Sequence, residues 1–495
     1  MVTETSEGGE RGPLLLRPKV SPLLHRFLRE RELLSQLLNG MGSPLNLLFP
    51  QAVIPNLIPF ENVLSKYKVP GRIFFAHKAN QSHSVLSELA LTGAGVDVAS
   101  VQELRHALGC GFTGARIEAT GPKNEEFLYL CLMHGVVVNV DSAQELEQVA
   151  ALKALLGKSE KVQILLRLND FKGSQNNVIA KQSRFGTRFG EVPELLTRVA
   201  ELGDDMELLG FSFHLDSVSL DERVVAIENC FRAIELAIDL GMEPRVINAG
   251  GHFRVNYLEY EEDWIGYESA VKRAVLGIGP EVTWQNKHFG LTLVANRIRG
   301  IFTSYGFFEG TTGAAFLQKI LESELPSYAY KKIGALLREN EIALWLEPGR
   351  ALLDQAGITL AVVNTVKTSS SGDTLVVLNM KRSDIGYLDQ EIFVDPILIG
   401  ADASKDNSYV PVYLAGSLCL ESDLIYRHLT YLPALPKPGD ILAFVNTAAY
   451  SMDFSASNTA MQPPATRLAV SERGTAFNWI SDERYTPVPN LNRKE

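Results

Sequence analysis

From Ile73 to Gly349 the chain repeats one unit: a short apolar run, then a stretch with apolar residues at helical spacing that usually closes at a glycine. IFFAHK precedes SHSVLSELALTG, GVDVAS precedes VQELRHALGCG, and IEATG precedes NEEFLYLCLMHG. VVVNV, VQILLRL and GFSFHL follow with helical stretches of their own, and RVINAGG and IALWLEPG complete the series. Runs without polar alternation are buried on both faces, which is the signature of parallel strands covered by helices. Eight of them predict an α/β fold, a closed (β/α)8 barrel of the TIM type, rather than an open sheet.

A barrel of this kind carries its working residues at the C-terminal ends of its strands. Lys78, Asp97, Arg167, His214, Gly250, Gly251 and Glu347 all fall at or just after such ends and are therefore expected to converge. The stretch 252–340 is too long for one crossover; EEDWIGYESAVKRAVLG and FLQKILES mark it as a helical insertion, a lid or a dimer surface. After Arg350 the pattern changes to period two in GITLAVVNTVKT, TLVVLNM, EIFVDPILI, YVPVYLAG and DILAFVNTAAY, with a turn at SSSGD. The expected domains are an N-terminal tail and docking helix (1–43), the barrel (44–350) and a C-terminal β domain (351–495), to which PLNLLFP adds a strand from before the barrel.

The N-terminal MVTETSEGGERGP has neither the basic start nor the apolar core of a signal peptide and reads as a disordered tail. Ser21, Pro22 and Gly40 bracket SPLLHRFLRERELLSQLLNG as one helix, docked on the core or on a partner subunit, with a membrane-surface helix as the alternative. No apolar run is long enough to span a bilayer. A net charge of −11 with no Lys/Arg block argues against nucleic acid as a partner. The four cysteines, Cys110, Cys131, Cys230 and Cys419, form no CxxC pair and no metal-like spacing with histidine, so neither disulfides nor a metal are expected and a reducing cytoplasm fits.

A lysine closing a core strand is either an anion anchor or, because desolvation favours the neutral form, a carbonyl-trapping amine, with a plain surface lysine as the competing reading. Adjacent glycines in VINAGGHF let backbone N–H groups approach a phosphate, although a tight turn explains them equally well. FSFHLDS sets His214, whose ring can lie flat on an aromatic, beside Ser217. In WLEPGR, Glu347 and Arg350 provide a carboxylate that can hold a pyridine nitrogen protonated and a cation suited to phosphate; a plain ion pair is the competing reading.

Together these segments resemble the fold-type III pyridoxal-phosphate decarboxylases, which include the ornithine, arginine and diaminopimelate enzymes and share their barrel with alanine racemase. The resemblance runs from about Pro44 to Val470 through FFAHKAN, GAGVDVASVQEL, LLRLN, SRFG, GFSFHLDS, INAGGHF, LEPGRAL, GSLCLESD and AAYSMDFSASN, in family order. It implies pyridoxal 5'-phosphate held covalently by Lys78, paired at its ring nitrogen with Glu347 and stacked by His214. It further implies a phosphate seat of Ser217, Gly250, Gly251, Arg350 and Tyr450, with Asp97 and Arg167 supporting ring and lysine. Cys419, with Glu421 and Asp423 nearby, would reach the site from the other subunit of a homodimer and protonate the α-carbon after CO2 leaves. The implied reaction is decarboxylation of an L-amino acid or derivative: a diamino acid, diaminopimelate, or a citrate-conjugated amino acid as in siderophore synthesis.

Departures from the family pattern concentrate where a substrate's far end is read. Asp216 replaces the glycine expected before Ser217, His252 replaces the third glycine of the usual triplet, and Leu420 follows Cys419 where an acidic residue is usual. Lys381, Arg382 and His252 are candidate contacts for a carboxylate-bearing substrate, a solvated loop being the alternative for the first two. A racemase or epimerase on the same scaffold, or a non-catalytic regulator of a related decarboxylase, are the competing functions.

Overall fold

The computed structural model describes residues 12–173, 183–387, 390–400, 408–474 and 476–488; the expected N-terminal tail lies largely outside them. Eight parallel strands close on themselves: β1 (Gly71–Ala76), β2 (Gly95–Val98), β3 (Ile117–Ala119), β4 (Val137–Val140), β5 (Val162–Asn169), β6 (Met206–Ser212), β7 (Val246–Asn248) and β8 (Ala343–Leu346). Closure is explicit in the pairs Val138↔Ile164 and Leu344↔Gly71. The helices between them begin where the sequence offers a side-chain cap. Ser82, Ser100, Asn124, Ser142 and Ser219 each accept a hydrogen bond from the backbone N–H three residues on, worth about 1 kcal/mol per cap.

A second, nine-stranded sheet is built around the long strand Gly357–Thr368, which pairs with Leu45–Leu48, Thr374–Leu378 and Ile441–Val445. The segment ahead of the barrel thus lies in the β domain, hydrogen-bonded also to Thr466–Arg473, a strand the period-two reading did not pick out. EIFVDPILI departs from expectation: only Ile397–Leu398 is strand. Phe393, Val394 and Asp395 are buried in succession there, so the alternation of a two-faced strand is absent, and Pro396 removes a ladder donor.

The N-terminal helix is in fact two, Pro22–Leu28 and Arg31–Met41, with Gly40 inside the second and Gly42 at its C-cap. The buried positions explain the break. Leu24, Phe27 and Leu28 form one stripe and Leu34, Leu37 and Leu38 another, whereas a continuous helix would turn Arg31 and Glu32 into the core.

The insertion contains helices Glu261–Val275, Gly313–Glu322 and Ile333–Glu339 and two short hairpins. It packs on the β domain through Phe393, whose ring contacts those of Trp264, Tyr267, Phe289, Phe302 and Phe307. Within the chain, therefore, this part of the insertion is a seam between domains.

Candidate active site

Side chains two residues apart on a strand share a face, so the barrel interior can be read in steps of two. The bottom layer is apolar: Phe74, Val137, Leu165, Val246 and Trp345 form one buried cluster. Gly95 belongs beside them because a Cβ there would meet the Phe74 ring at 2.5 Å. Two residues further on, Asp97, Asn139, Arg167, Ser212, Asn248 and Glu347 make the next layer polar, joined by Glu118 from β3. Two more residues bring the chain to the rim, at Lys78, Thr120, His214 and Gly250.

The polar layer is one hydrogen-bonded network. Asn248 Nδ2 donates to both Glu118 carboxyl oxygens at 2.8 Å and to Glu347 Oε1 at 2.7 Å. Asn139 Nδ2 donates to Glu118 Oε1 at 2.8 Å and its oxygen accepts from Ser212 Oγ at 2.7 Å. Neither carboxyl has a salt-bridge partner among the described residues. Burial pushes Glu118 well above the usual carboxylate range, with Glu347 and Asp97 adding to the effect. Burial and then Asp97 raise Glu347 to about 7. Asp97 is raised by burial too, although Lys78, the Thr120 hydroxyl at 2.5 Å and Arg167 oppose it. Glu347 is thus placed to hold and release a proton near neutral pH.

Above it lies a cavity of about 570 Å³ lined by Lys78, Thr120, Arg167, Phe185, His214 and Glu347, among others. Lys78 keeps exposed surface and lines this cavity. Desolvation alone predicts a lowered lysine pKa; here burial does press that way, but Tyr450, Asp97 and Glu347 outweigh it and the ammonium is held above its ordinary value. His214 goes the other way: burial, then Lys78 and Arg167, keep its imidazole neutral.

The rim next to Glu347 is shaped by close backbone approach. A Cβ at Gly250, whose φ is +65°, would meet Phe213 O at 2.6 Å, and one at Gly251 would meet Glu347 O at 2.5 Å. Arg223, fully buried, braces this turn from behind through Ala249 O at 2.7 Å and Gly251 O at 3.1 Å. Arg350 is packed among the rings of Tyr257, Tyr305, Tyr387 and Tyr450. It donates to the Tyr257 hydroxyl and forms no carboxylate pair among the described residues. Tyr450 is tied to the lysine segment by its N–H to Ala79 O at 2.7 Å, and Ser217 Oγ accepts from Ser219 N at 3.1 Å.

Thus Lys78, Asp97, Arg167, His214 and Glu347 converge, with Gly250, Gly251, Arg350 and Tyr450 adjoining. Cys419 and Glu421 do not: both are exposed and neither lines the cavity of their own chain. Asp423 is a loop organiser, accepting from Arg382 N and Leu418 N, each at 2.8 Å. Lys381 and Arg382 are neither solvated nor aimed at the cavity. Lys381 is 1% exposed and bonds Pro463 O and Asp384; Arg382 holds Leu424 O and Ile425 O.

Asp216 and His252, the two departures at the rim, face each other at 3.7 Å. His252 takes φ +64°, which explains why glycine is usual there. Sequence reasoning missed Glu118, Asn139, Ser212, Asn248 and Arg223. For the first four the signal was present: a polar residue inside an otherwise apolar run, in step with Asp97 and Glu347.

Comparison with known proteins gives the same picture. Residues 57–280 match the pyridoxal-binding domain model of the pyridoxal-dependent decarboxylases. The chain is 31% identical over 466 residues to the uncharacterized protein y4yA of Sinorhizobium fredii, covering 93% of this chain and 94% of that one. It is 26% identical over 442 residues to the diaminopimelate decarboxylase of Methanothermobacter thermautotrophicus, covering 87% of each. Among solved structures, diaminopimelate decarboxylase from Helicobacter pylori complexed with L-lysine superposes with a TM-score of 0.66 at 19% identity, covering 90% of this chain and 95% of that one, which shows a shared fold.

Proposed function

The chain belongs to the fold-type III pyridoxal-dependent decarboxylases, and from that premise we propose that it removes the α-carboxyl group of an L-amino acid or amino-acid derivative as CO2. The observation that carries the reading is Lys78 standing at the barrel mouth over a buried, partly protonated carboxyl floor. The cofactor is pyridoxal 5'-phosphate, and the residues fit it on their own chemistry. Gly250 and Gly251 leave backbone where any Cβ would intrude, and the Arg350 guanidinium has no carboxylate partner among the described residues. An anion seat and an amine thus flank one cavity.

When bound, the cofactor supplies an electron sink for the pair released as the Cα–carboxyl bond breaks. Everything else is work for the chain. Lys78 Nζ, an ammonium in the free enzyme, is the amine that would hold the cofactor, and Asp97 is the raised carboxyl beside it that would take the lysine's proton. Gly250 N, Gly251 N, Arg350, Ser217 and Tyr450 would hold the phosphate, and the neutral His214 ring would offer a flat face without adding positive charge. Glu347, steadied by Asn248, would pair with the ring nitrogen and keep it protonated. The closed barrel floor keeps water from beneath the site, where the fixed dipoles act at low dielectric.

Cys419, exposed beside Leu420 at 54%, serves a neighbouring site. In a homodimer, Cys419 of the partner subunit delivers its thiol proton to the α-carbon, and Glu421 of the partner subunit meets the substrate's far end. Asp216 and His252 line the rim through which that far end passes.

CO2 release from the cofactor-loaded enzyme against ornithine, lysine, arginine, meso-diaminopimelate and citryl-diamino acids tests this. Release from one member establishes the reaction and its far-end specificity. Exchange of the α-proton with no CO2 from any α-amino acid replaces it by racemisation.

A further inference from the structure

One peptide from Lys78, His77 turns away from the cavity into a second cleft of about 850 Å³ between the first two barrel helices and the C-terminal segment. His83 opens the helix His83–Ala90 and His106 stands in the last turn of Val101–Gly109, with Cys110 at that helix's C-cap. His106 and Cys110 are four residues apart and so share one helix face. Along the chain these residues have no recognisable ligand spacing; folding brings one ligand atom from each of His83, His106 and Cys110 within 4.8 Å of one another. Cys110 Sγ lies 3.3 Å from His83 Nδ1, and the two imidazole rings are 5.9 Å apart and tilted by 36°.

We propose that His83, His106 and Cys110 bind a zinc ion. Two imidazoles and a thiolate are the borderline-soft donors that zinc prefers, and a three-ligand set leaves a fourth tetrahedral position open, here towards the cleft. All three residues are partly exposed, so an ion has access. The surroundings match those of a ligating histidine, whose second nitrogen is normally held by a neighbour. His106 Nδ1 is 2.9 Å from His77 Nε2, leaving His106 Nε2 for the metal. Behind it, His77 Nδ1 is buried with no hydrogen-bond partner among the described residues and faces Glu103 Oε1 at 3.7 Å. Glu103, His77 and His106 form a line leading to the ion. On binding, the Cys110 proton passes to solvent and the thiolate takes its place at the metal. The ion clips the helices after β1 and β2 together immediately behind the lysine; it is a positioning element, remote from the reacting atoms.

The test is cobalt titration of the pyridoxal-loaded enzyme after chelator treatment. One Co²⁺ per chain is expected, with tetrahedral d–d bands to the red of the pyridoxal absorption and a sulfur-to-cobalt charge-transfer band, all displaced by Zn²⁺. Cys110→Ser should abolish the charge-transfer band, and His83→Gln should weaken Co²⁺ binding roughly tenfold or more. X-ray absorption of the zinc-loaded wild type needs no variant and should show sulfur at about 2.3 Å and nitrogen at about 2.0–2.1 Å. No stoichiometric uptake by the wild type, or a charge-transfer band that survives in a folded Cys110→Ser protein, overturns the site.

Discussion

The barrel floor and the domain seam bury carboxyl groups equally deeply and hold them in opposite states. On the floor, Glu118 and Glu347 meet the amides of Asn139 and Asn248, which are dipoles without charge, and both pKa values rise. At the seam, Glu391 meets Arg427 Nε at 2.9 Å, Arg382 Nη2 at 3.4 Å and His428 Nδ1 at 3.6 Å. Burial pushes Glu391 up as well, but His428, Arg382 and Arg427 outweigh it and the group stays below its usual range. His428 lies between Glu391 and Asp395, which hold it above its ordinary value against burial. Burial alone therefore says little; a cation in direct ion-pair contact, as Arg427 and Arg382 are with Glu391, separates the acid that clamps the fold from those that are raised.

The contrast can be broken at several points. Lys78→Ala should lower turnover roughly 10³-fold or more, with the melting transition of the cofactor-free protein retained. A residual activity near wild type would show that the floor serves some other amine. Glu391→Gln should do the reverse, costing about 3–5 kcal/mol in urea denaturation because it strips the counter-charge from buried cations, with turnover per folded molecule little changed. Glu347→Gln should cost about 10²–10³-fold in kcat, the scale of losing one charge-stabilising group, and little stability.

The two buried glutamates, Glu391 at the seam and Glu347 on the floor, should also answer pH with opposite signs. Glu391 is lowered on folding, so its contribution is present above the unfolded value of about 4.3 and lost as pH falls through the folded one. His428 is raised, so its contribution is present below about 6.5 and lost as pH rises through its folded value. Glu347 is a raised carboxyl that binds its proton more tightly when folded, and it lowers stability as pH climbs from about 4.3 to about 7. In cofactor-free protein Glu347→Gln should flatten the stability profile across that interval, and an unchanged slope would assign the proton elsewhere. A smaller loss belongs to Glu118→Gln, which keeps the shape but turns an amide donor towards Asn248 Nδ2 and should cost about 1–3 kcal/mol. A loss as large as that of Glu391→Gln would mean that Glu118 is ionised, and the comparison would fail.

Much of the floor was legible in the primary structure and little of the seam. Asp97, Arg167 and Glu347 announce themselves because a strand buried on both faces has no other reason to carry charge. Asn139, Ser212 and Asn248 carry the same signal more weakly, since small polar residues also occur in ordinary strands. The seam had no such signal. Glu391 and Asp395 read as part of a period-two strand and His428 carried no signal at all, and their pairing joins two segments of the β domain. Likewise, Lys381 and Arg382 look like substrate contacts until their backbone partners at Pro463 and Leu424 are seen.

Periodicity and capping act over a few residues, so the sequence by itself determined the eight strands, the helices between them and which side chains stand at the barrel mouth. Three things depended on distances between segments far apart in the chain: the raised state of Lys78, the meeting of Asp216 with His252, and the gathering of His83, His106 and Cys110. Those distances are set only when the barrel closes and the β domain docks. Coulomb energy and desolvation follow separation and burial in space, and neither is a property of chain order.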